Sequence, residues 1–562
     1  MNETIGTTGI VLVGFFVFLI FAIYQTYKNR KLRKTLIHRN FGKLPERDYD
    51  LTEYENISHY FWQKGDMDHA IDDITWNDLD MDSVFRMMNH TWSAIGESSL
   101  YNLLRRPEFS EEKLDERERL IQYFSTHEKE REQFLELCAE IGKTGRYSVF
   151  DYIYNLADLE IKTPWKHYLN DVLMLGAVGL LFVQAQLGIL AVIVMFSVSM
   201  GTYYGEKRKI EPYVSSCSCL LNMLKFCEKV EKLPIKELES YFSTLRESRK
   251  KFGNFKKKAY FFVAGSAVGG GLETIFIEYL NYVFHLDLIQ FPQVIKELKD
   301  HMGAFEEMTE TIGLLESMAA VASFRTMISD YTVPVLRHST QGYLKIEDVY
   351  HPMLQKPVKN SITAERGILL TGSNASGKST FLKTVAINAI LAQTVHTCMA
   401  GKYEASFFRI YSSMALRDDL VGQESYYIVE IKSLKRILDA FGGEIPVLCF
   451  VDEVLRGTNT VERIAASSQI LKSMARKDVI CFAATHDVEL THLLEKEYDN
   501  YHFQEEVKEN DITFNYLLYP GRATSRNAIK LLGIMGYDKT IIAHAEQAAQ
   551  QFLETGEWHL SS

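Results

Sequence analysis

The sequence has 562 residues, 46% of them hydrophobic and 24% charged, which is enough for two or three globular domains. Its formal net charge of −11 argues against a protein that functions mainly by binding nucleic-acid phosphates, because such proteins usually carry a basic surface. The seven cysteines show no zinc-type spacing, so we interpret them as reduced thiols in a reducing compartment.

The first element is an uncharged apolar stretch, Ile5–Tyr24, which is long enough for a helix to cross the hydrocarbon core of a bilayer. A signal peptide is not expected, because the stretch has no basic region before it and no small-residue cleavage site after it. A cluster of lysines and arginines follows at 28–34, and such clusters stay in the cytoplasm. The pattern predicts a retained anchor with its N-terminus outside.

A second apolar stretch runs from Val172 to Tyr204 and would be about 50 Å long as one straight helix, well over the thickness of the bilayer core. Gln184 and Gln186 lie near its middle, and both flanks are basic. We therefore predict a helical hairpin that crosses the membrane twice. A shallow re-entrant hairpin and a buried soluble hairpin are the alternatives. A shorter glycine-rich run, Ala259–Gly271, is predicted to pack inside the protein.

The remaining pattern predicts three segments. Residues 1–34 form the anchor with its basic flank, and residues 35–332 form a helical domain that includes the charged stretch Ser110–Gly142 and the hairpin at 172–204. Residues 333–562 alternate short β-branched strands with helices, which is typical of a mostly parallel sheet covered by helices on both faces. The strands predicted there are Gly367–Thr371, Val447–Val451 and Val479–Ala484.

A phosphate-binding motif, G-x-x-x-x-G-K-[ST], follows the first of these strands and opens an amphipathic helix. Its glycines permit tight turns that aim backbone N–H groups at the β-phosphate, and the helix N-terminus adds partial positive charge. Lys378 is expected to bridge the β- and γ-phosphates, and Ser379 to ligate Mg²⁺. The residues predicted to bind the ATP phosphates are Gly372, Ser373, Asn374, Ala375, Ser376, Gly377, Lys378, Ser379 and Thr380.

Two further strand ends supply the groups that hydrolysis needs. Asp452 and Glu453 directly follow a buried strand; Asp452 is expected to hold Mg²⁺ and Glu453 to polarise the attacking water. His486 follows another strand and is expected to reach the γ-phosphate, the alternative being a histidine that only caps the strand end. Together the motifs predict a Mg²⁺-dependent ATP hydrolase.

These motifs resemble the ATPase domain of the MutS family, which is best known for mismatch repair and lies within the wider ABC-type ATPases. A weaker resemblance at Asp82–Pro107 is to the start of the MutS core, or lever, domain. The segments that carry the resemblance are Gly372–Thr380, Asp452–Thr460, Thr485–Thr491, His351-Pro352, Asn360, Arg417–Ser425, Glu430, Pro520-Gly521 and Asn527–Gly536.

The resemblance implies an α/β P-loop (ABC-type) ATPase domain preceded by an all-α core domain, here with transmembrane helices. In that family two ATPase domains dimerise, which implies that Ser425 contacts the γ-phosphate on the partner's nucleotide and that Arg456 supports the same interface. The chain departs from the family at Gln423, where the family has glycine, and after His351-Pro352, where no aromatic residue is present to stack on adenine.

A MutS mismatch-repair protein begins with a mismatch-reading domain and a connector, whereas core-like sequence is reached here by Asp82. The apolar hairpin at 172–204 stands roughly where the DNA clamp interrupts the MutS core. We therefore expect a homodimeric, multi-pass ATPase of the cell (inner) membrane, with a cytoplasmic ATPase domain that drives a conformational switch in helical arms. The alternatives are a DNA-binding protein of the mismatch-repair type and an ABC-type transport ATPase. The sequence identifies no further protein partner.

Overall fold

A computed structural model describes residues 20–21, 24–25, 27–65, 67–143, 148–158, 163–253, 255–259, 262–263, 272–328, 330–373, 376–414, 426–508, 511–523, 529, 532, 536–556 and 558. Most of the predicted anchor and of the third apolar run lies outside these residues. So do Asn374, Ala375 and Ser425, together with most of the two family-like segments 417–425 and 527–536.

The chain divides into two compact units. We call residues 1–66, 87–102 and 119–327 the helical unit, and residues 67–86, 103–118 and 328–562 the sheet unit. The helices before the sheets are α1 (27–40), α2 (Leu51–Gln63), α3 (Asp73–Asp78), α4 (Met81–Met88), α5 (Ala94–Arg105), α6 (Glu111–Thr126), α7 (Glu128–Ile141), α8 (Val149–Tyr154), α9 (Trp165–Val183), α10 (Ala185–Val230), α11 (Glu239–Lys251), α12 (Phe255–Lys258), α13 (Leu272–Phe284), α14 (Leu286–Asp300) and α15 (Met302–Ile328). The charged stretch Ser110–Gly142 forms two helices, separated at His127.

The predicted hairpin is present in the helical unit as α9 and α10. The two helices meet at Gln184, and a Cβ added at Gly188 would lie 2.5 Å from the backbone nitrogen of Leu181, so glycine permits this close approach. The second helix does not end at Tyr204 but continues to Val230. Its later half buries apolar side chains, including Leu220, Met223, Leu224, Phe226 and Cys227.

The hairpin half of α10 and most of α9 present apolar side chains outward. Phe182 is 88% exposed and Val183 is 85% exposed. By length and composition, two of the described helices, α9 and α10, are apolar enough to cross a membrane. Their most apolar windows are only 11% buried, which sets them apart from the core helices of a soluble protein.

The strands of the sheet unit are β1 (Val335–Arg337), β2 (Leu344–Val349), β3 (Asn360–Ala364), β4 (Gly367–Thr371), β5 (Lys402–Ser406), β6 (Arg409–Ser413), β7 (Val447–Asp452), β8 (Val479–Ala484), β9 (Tyr498–Lys508) and β10 (Asp511–Pro520). Its later helices are α16 (Lys378–Thr394), α17 (Tyr426–Asp439), α18 (Thr460–Met474), α19 (Val488–Leu493) and α20 (Lys539–Thr555). The predicted strands appear as β4, β7 and β8, whereas the sequence pattern did not predict the others.

Within the described residues, the strands form two sheets. A smaller sheet has the order β1-β5-β2-β3, and a larger one the order β10-β9-β4-β8-β7-β6. In the larger sheet β9, β4, β8, β7 and β6 run parallel and β10 is antiparallel. The neighbouring strands β4, β8 and β7 consist almost wholly of buried residues, and their carboxyl ends meet at one edge of the sheet.

The sheet unit also contains two early segments, 67–86 and 103–118, that the sequence pattern groups with the helical domain 35–332. The second segment meets the C-terminal end of α16. The backbone nitrogen of Glu108 donates to Gln393 O at 2.8 Å, and the half-buried guanidinium of Arg117 donates to Thr394 O at 2.6 Å. These donors satisfy carbonyls that the last turn of a helix leaves free.

Candidate nucleotide site

The loop between β4 and α16 needs glycine at two positions. We call residues 372–377 the glycine loop. Gly372 has a φ of +146° and Gly377 a φ of +103°, a backbone region that other residues rarely adopt. A Cβ at Gly372 would also lie 2.9 Å from the hydroxyl of Ser376 and 3.0 Å from Phe503 O. The chain therefore makes the tight turn that the motif predicts.

Lys378 begins α16 and its side chain folds back onto this loop. The buried ammonium donates to Gly372 O at 2.8 Å and to Ser373 O at 2.9 Å. Burial lowers the pKa of Lys378, although the carboxylates of Asp452 and Glu453 act against that shift. The cation is thus held between the glycine loop and the two acidic residues that follow β7.

Ser379 and Asp452 meet as the metal prediction requires. The Ser379 hydroxyl donates to Asp452 Oδ2 at 2.5 Å. The other carboxylate oxygen, Oδ1, is buried and has no hydrogen-bond partner among the described residues. A buried carboxylate oxygen without a donor is costly unless a cation or water satisfies it. An oxygen pair of this kind suits Mg²⁺, so these two residues fit the predicted ion.

Glu453 lies directly after Asp452 with a φ of +59°. Its Oε1 lies 2.8 Å from His486 Nε2, and its Oε2 lies 2.5 Å from Arg456 Nε. Burial acts to raise the pKa of Glu453, but the His486 hydrogen bond and the charges of Arg456 and Lys378 outweigh it, so the pKa lies below its ordinary value. The group is therefore ionised at neutral pH, with both oxygens already engaged.

Glu430 on α17 supports the turn that carries Glu453. Its carboxylate accepts from the backbone nitrogen of Leu455, a non-glycine residue with a φ of +59°. Glu430 is 4% exposed, and burial raises its pKa, opposed by hydrogen bonds from the backbone of Leu455 and Arg456. The sequence matched Glu430 to the family without a role, and the structure makes it a brace for strained backbone.

His486 is oriented by two contacts that the sequence did not predict. The backbone nitrogen of Thr485 donates to Leu370 O at 2.9 Å and joins the ends of β8 and β4. On the other side of the histidine, Arg463 of α18 makes a two-point ion pair with Asp487, at 2.9 and 2.6 Å. His486 Nε2 consequently lies 3.5 Å from the ammonium of Lys378.

A cavity of about 670 Å³ opens at this edge of the sheet, a size typical of small-ligand sites. One part of it is lined by Ser376, Gly377, Lys378, Ser379, Thr380, Glu453, Arg456 and His486. The rest is lined mainly by apolar and aromatic side chains, namely Val349, His351, Leu354, Val358, Phe381, Phe503 and Tyr516, with Lys356, Asn360 and Thr384. Burial and the nearby Lys383 lower the pKa of His351 to about 4, so its ring is neutral at physiological pH.

Tyr516 is a wall of the cavity that sequence reasoning missed. It has a φ of +56° and lies at a bulge in β10, and a Cβ added at Gly377 would be 3.1 Å from its ring. Asn360 holds this bulge: it donates to Tyr516 O at 3.0 Å and accepts from the nitrogen of Leu518 at 2.8 Å. The sequence indicated only Asn360, which matches the family. Its partners at the bulge, Tyr516 and Leu518, are apparent only in the folded chain.

One acidic group at the glycine loop was also not predicted. The carboxylate of Glu505, on β9, accepts a hydrogen bond from the hydroxyl of Ser373. It is also one of the negative charges that act on the ammonium of Lys378. A negative group therefore lies where the loop would receive phosphate.

Most of the predicted residues that the structure describes line one cavity or hydrogen-bond to a residue that lines it. The residues brought together are Gly372, Ser373, Ser376, Gly377, Lys378, Ser379, Thr380, Asp452, Glu453, Arg456 and His486. Asn374, Ala375 and Ser425 are outside the described residues, so their predicted contacts stay predictions.

Comparison with known proteins points to one family. Residues 368–553 match MutS domain V. Human MutS protein homolog 4 is 27% identical over 298 residues, which is 49% of this chain and 30% of that protein. The DNA mismatch repair protein MutS of Thermotoga maritima is 28% identical over 274 residues, 46% of this chain and 33% of the relative. The DNA mismatch repair protein MutS of Thermus aquaticus is 27% identical over 265 residues, which is 46% of this chain and 32% of that protein. The chain thus spans about a third of the length of these curated relatives.

Proposed function

Because this chain belongs to the MutS family through its C-terminal domain, we propose that it is a Mg²⁺-dependent, dimeric ATPase that works at a membrane. The observation that carries the proposal is the meeting of Lys378, Ser379, Asp452, Glu453 and His486 at one edge of a parallel sheet. Three neighbouring strand ends deliver these groups, which is where α/β proteins bind their ligands.

The roles follow from the contacts. The backbone of the glycine loop and the ammonium of Lys378 bind the β- and γ-phosphates, in exchange for the carbonyls that the ammonium contacts here. Mg²⁺ held by Ser379 and Asp452 would offset the negative charge of the phosphates. Glu453 orients the attacking water, and the release of His486 or Arg456 from its carboxylate would open a further position for that water.

The apolar part of the cavity is the proposed binding site of the nucleobase. Tyr516 offers an exposed ring beside Gly377, and Val358 and Leu354 offer apolar contacts next to it. His351 is neutral and adds no charge to this region. A flat base can stack on an aromatic ring without any sequence-specific hydrogen bond.

A second chain is proposed to complete each site. The resemblance implies that Ser425 acts on the partner's nucleotide. Arg456 has a side chain that is 43% exposed and pairs with Glu453, so a partner that draws Arg456 away would free the carboxylate for water. ATP would then favour the closed dimer, and hydrolysis would favour its opening.

Membrane attachment is proposed for the hairpin and the anchor. From Trp165 to Val183 the helix α9 is about 28 Å long, close to the thickness of a bilayer core. Exposed apolar side chains cover α9 and the first part of α10. Trp165 and Tyr168 lie at the base of the hairpin, as aromatic residues do at a membrane–water interface. We place Gln184 on the outer side and the ATPase domain in the cytoplasm of the cell membrane.

The test is ATP hydrolysis by the full chain in lipid nanodiscs. The wild type should hydrolyse ATP only with Mg²⁺, Lys378→Ala should lose nucleotide binding, and Glu453→Gln should bind ATP and trap a closed dimer without turnover. Glu495→Gln, an exposed residue whose side chain pairs with Arg522, is the matched control and should behave as the wild type. Normal turnover by Glu453→Gln would refute the assigned role.

DNA is a second candidate ligand, because two of the relatives are named DNA mismatch repair proteins. The net charge of −11 opposes it. Affinity for duplex DNA that falls steeply between low and moderate salt would support phosphate contacts. No binding at low salt, with ATP hydrolysis intact, would leave the membrane switch as the function.

A further inference from the structure

The outer edge of β6 is covered by a helix from far upstream in the sequence. Within the described residues, β6 is the last strand of the larger sheet and pairs only with β7. Such an edge leaves backbone N–H and C=O groups without partners. Here the nitrogen of Ser412 donates to the hydroxyl of Thr75 at 3.1 Å, and the nitrogen of Met414 donates to Asp78 Oδ2 at 2.9 Å. Both acceptors lie on α3.

Ser412 is held from three sides. Its hydroxyl donates to Asp78 Oδ2 at 2.7 Å, and its carbonyl accepts from the guanidinium of Arg436 on α17. Arg436 Nη1 in turn lies 2.5 Å from Asp72 Oδ1, at the start of α3. We call Asp72, Thr75, Asp78, Ser412 and Arg436 the edge clamp.

The clamp is built to hold position. Thr75 and Ser412 are fully buried, and Asp78 is 4% exposed. A buried carboxylate that accepts from two donors fixes both of them, because each donor would otherwise lose its partner away from water. The clamp residues do not line the nucleotide cavity.

Its placement along the chain suggests what it positions. β6 ends at Ser413 and α17 begins at Tyr426, so the clamp holds the two elements on either side of residues 414–425. That stretch carries Ser425, the residue expected to act on the partner's nucleotide. We infer that Asp78 is a positioning residue for ATP hydrolysis: it anchors the end of β6, as Arg436 anchors α17, and both elements flank the stretch from which Ser425 is expected to act on the nucleotide of the other chain. The inference rests on the proposed function.

The first test separates nucleotide binding from turnover in the full chain. In Asp78→Ala the Kd for ATP should stay within about twofold of wild type while kcat falls by at least about tenfold, since the groups that bind phosphate are untouched. Asp78→Asn should retain most activity, because an amide oxygen still accepts from Ser412 and Met414. Asp73→Ala is the matched control on the same helix, where the carboxylate is 54% exposed and pairs with Arg105.

The second test asks whether Asp78 affects hydrolysis of the nucleotide bound to its own chain or of the nucleotide bound to the partner. Asp78→Ala and Lys378→Ala are each expected to be nearly inactive alone. A mixed dimer contains one complete site, which combines the glycine loop of the Asp78→Ala chain with Ser425 of the chain whose edge clamp is intact. Random mixing of equal amounts should therefore restore about a quarter of wild-type turnover. A chain that simply fails to fold would restore nothing.

A mixture of Ser425→Ala with Lys378→Ala is the reference. If that mixture regains turnover and the Asp78→Ala mixture does not, the inference is overturned. A loss of ATP affinity in parallel with kcat, or an Asp78→Asn as inactive as Asp78→Ala, also overturns it. If neither mixture regains turnover although the wild type hydrolyses ATP, the shared dimeric site itself is wrong, which separates that failure from the first.

Discussion

The hydroxyl of Ser379 and Oδ2 of Asp452 lie 2.5 Å apart, although 73 positions separate the two residues in the chain. They meet because α16 starts at the end of β4 and Asp452 ends β7, and a single strand, β8, lies between β4 and β7 in the larger sheet. The second oxygen of Asp452 is buried and has no described hydrogen-bond partner. This pair predicts how the activity depends on Mg²⁺.

Asp452→Asn should lose most of the Mg²⁺-dependent ATP hydrolysis. The amide keeps the shape but loses the negative charge, so at saturating ATP we expect kcat to fall by about a hundredfold or more. Binding of ATP without Mg²⁺ should be unchanged or slightly tighter. A Mg²⁺ titration of hydrolysis and of ATP binding measures both. Asp499→Asn, at an exposed pair with Arg366, is the control. Wild-type Mg²⁺ activation in Asp452→Asn would contradict the metal assignment.

Glu505→Gln should tighten ATP binding. The carboxylate lies against Ser373 in the glycine loop and repels a polyphosphate, so its neutralisation should lower the Kd for ATP by roughly three- to tenfold, about 1 kcal/mol. The gain should shrink at high salt because screening weakens the repulsion. Isothermal titration at two salt concentrations measures it, with Glu495→Gln as the neutralised control. Weaker binding would mean that the Ser373 contact, not the charge, is what matters.

His90 makes the helical unit sensitive to acid. Burial lowers the pKa of His90 to about 4, and its Nε2 is buried with no described partner, while Nδ1 lies 3.0 Å from the Ser323 hydroxyl. The unfolded chain then binds a proton that the folded chain resists, so stability is full above about pH 6.5 and is lost as the pH falls towards 4. Between pH 6.5 and 5 the loss is roughly 2 kcal/mol.

His90→Gln should remove this loss, because glutamine does not titrate and can still hydrogen-bond Ser323. The measurement is the urea midpoint at pH 7 and pH 5, where the wild type should shift more than the variant. His492→Gln, with an exposed ring, should shift as the wild type does. An equal shift in His90→Gln would show that another group governs the acid sensitivity.

Gln184→Cys should report which side of the membrane the hairpin tip reaches. All seven natural cysteines are buried, so they give little background labelling. With two crossings, a membrane-impermeant maleimide should label Cys at position 184 in intact cells. Arg208→Cys, beyond the base of the hairpin, should be labelled only after the membrane is opened. Labelling of position 184 from the cytoplasmic side alone would refute the two-crossing hairpin.

Much of the site could be predicted because its residues lie in short, local motifs. A loop that must turn tightly needs Gly372 and Gly377, and carboxylates that follow a buried strand are readable as a pair. The residues that were missed act across long distances. Tyr516 reaches Gly377 only after β10 bulges, and Arg463 reaches Asp487 only after α18 packs beside β8. No local pattern records such contacts.

By itself the sequence determined the residue types of the candidate nucleotide site, a glycine loop followed by Lys378 and Ser379 and a strand that leads into Asp452 and Glu453, because such motifs depend on neighbours in the chain. It also determined the apolar hairpin, because length and hydropathy are local. Only the tertiary structure decided that Asp78 covers the edge of β6, that Glu430 braces Leu455 and that both oxygens of Glu453 are engaged. In those contacts, strand edges and buried charges pair with groups from segments that are distant in the sequence. The packing of the folded chain, not the neighbouring residues, determines which groups pair.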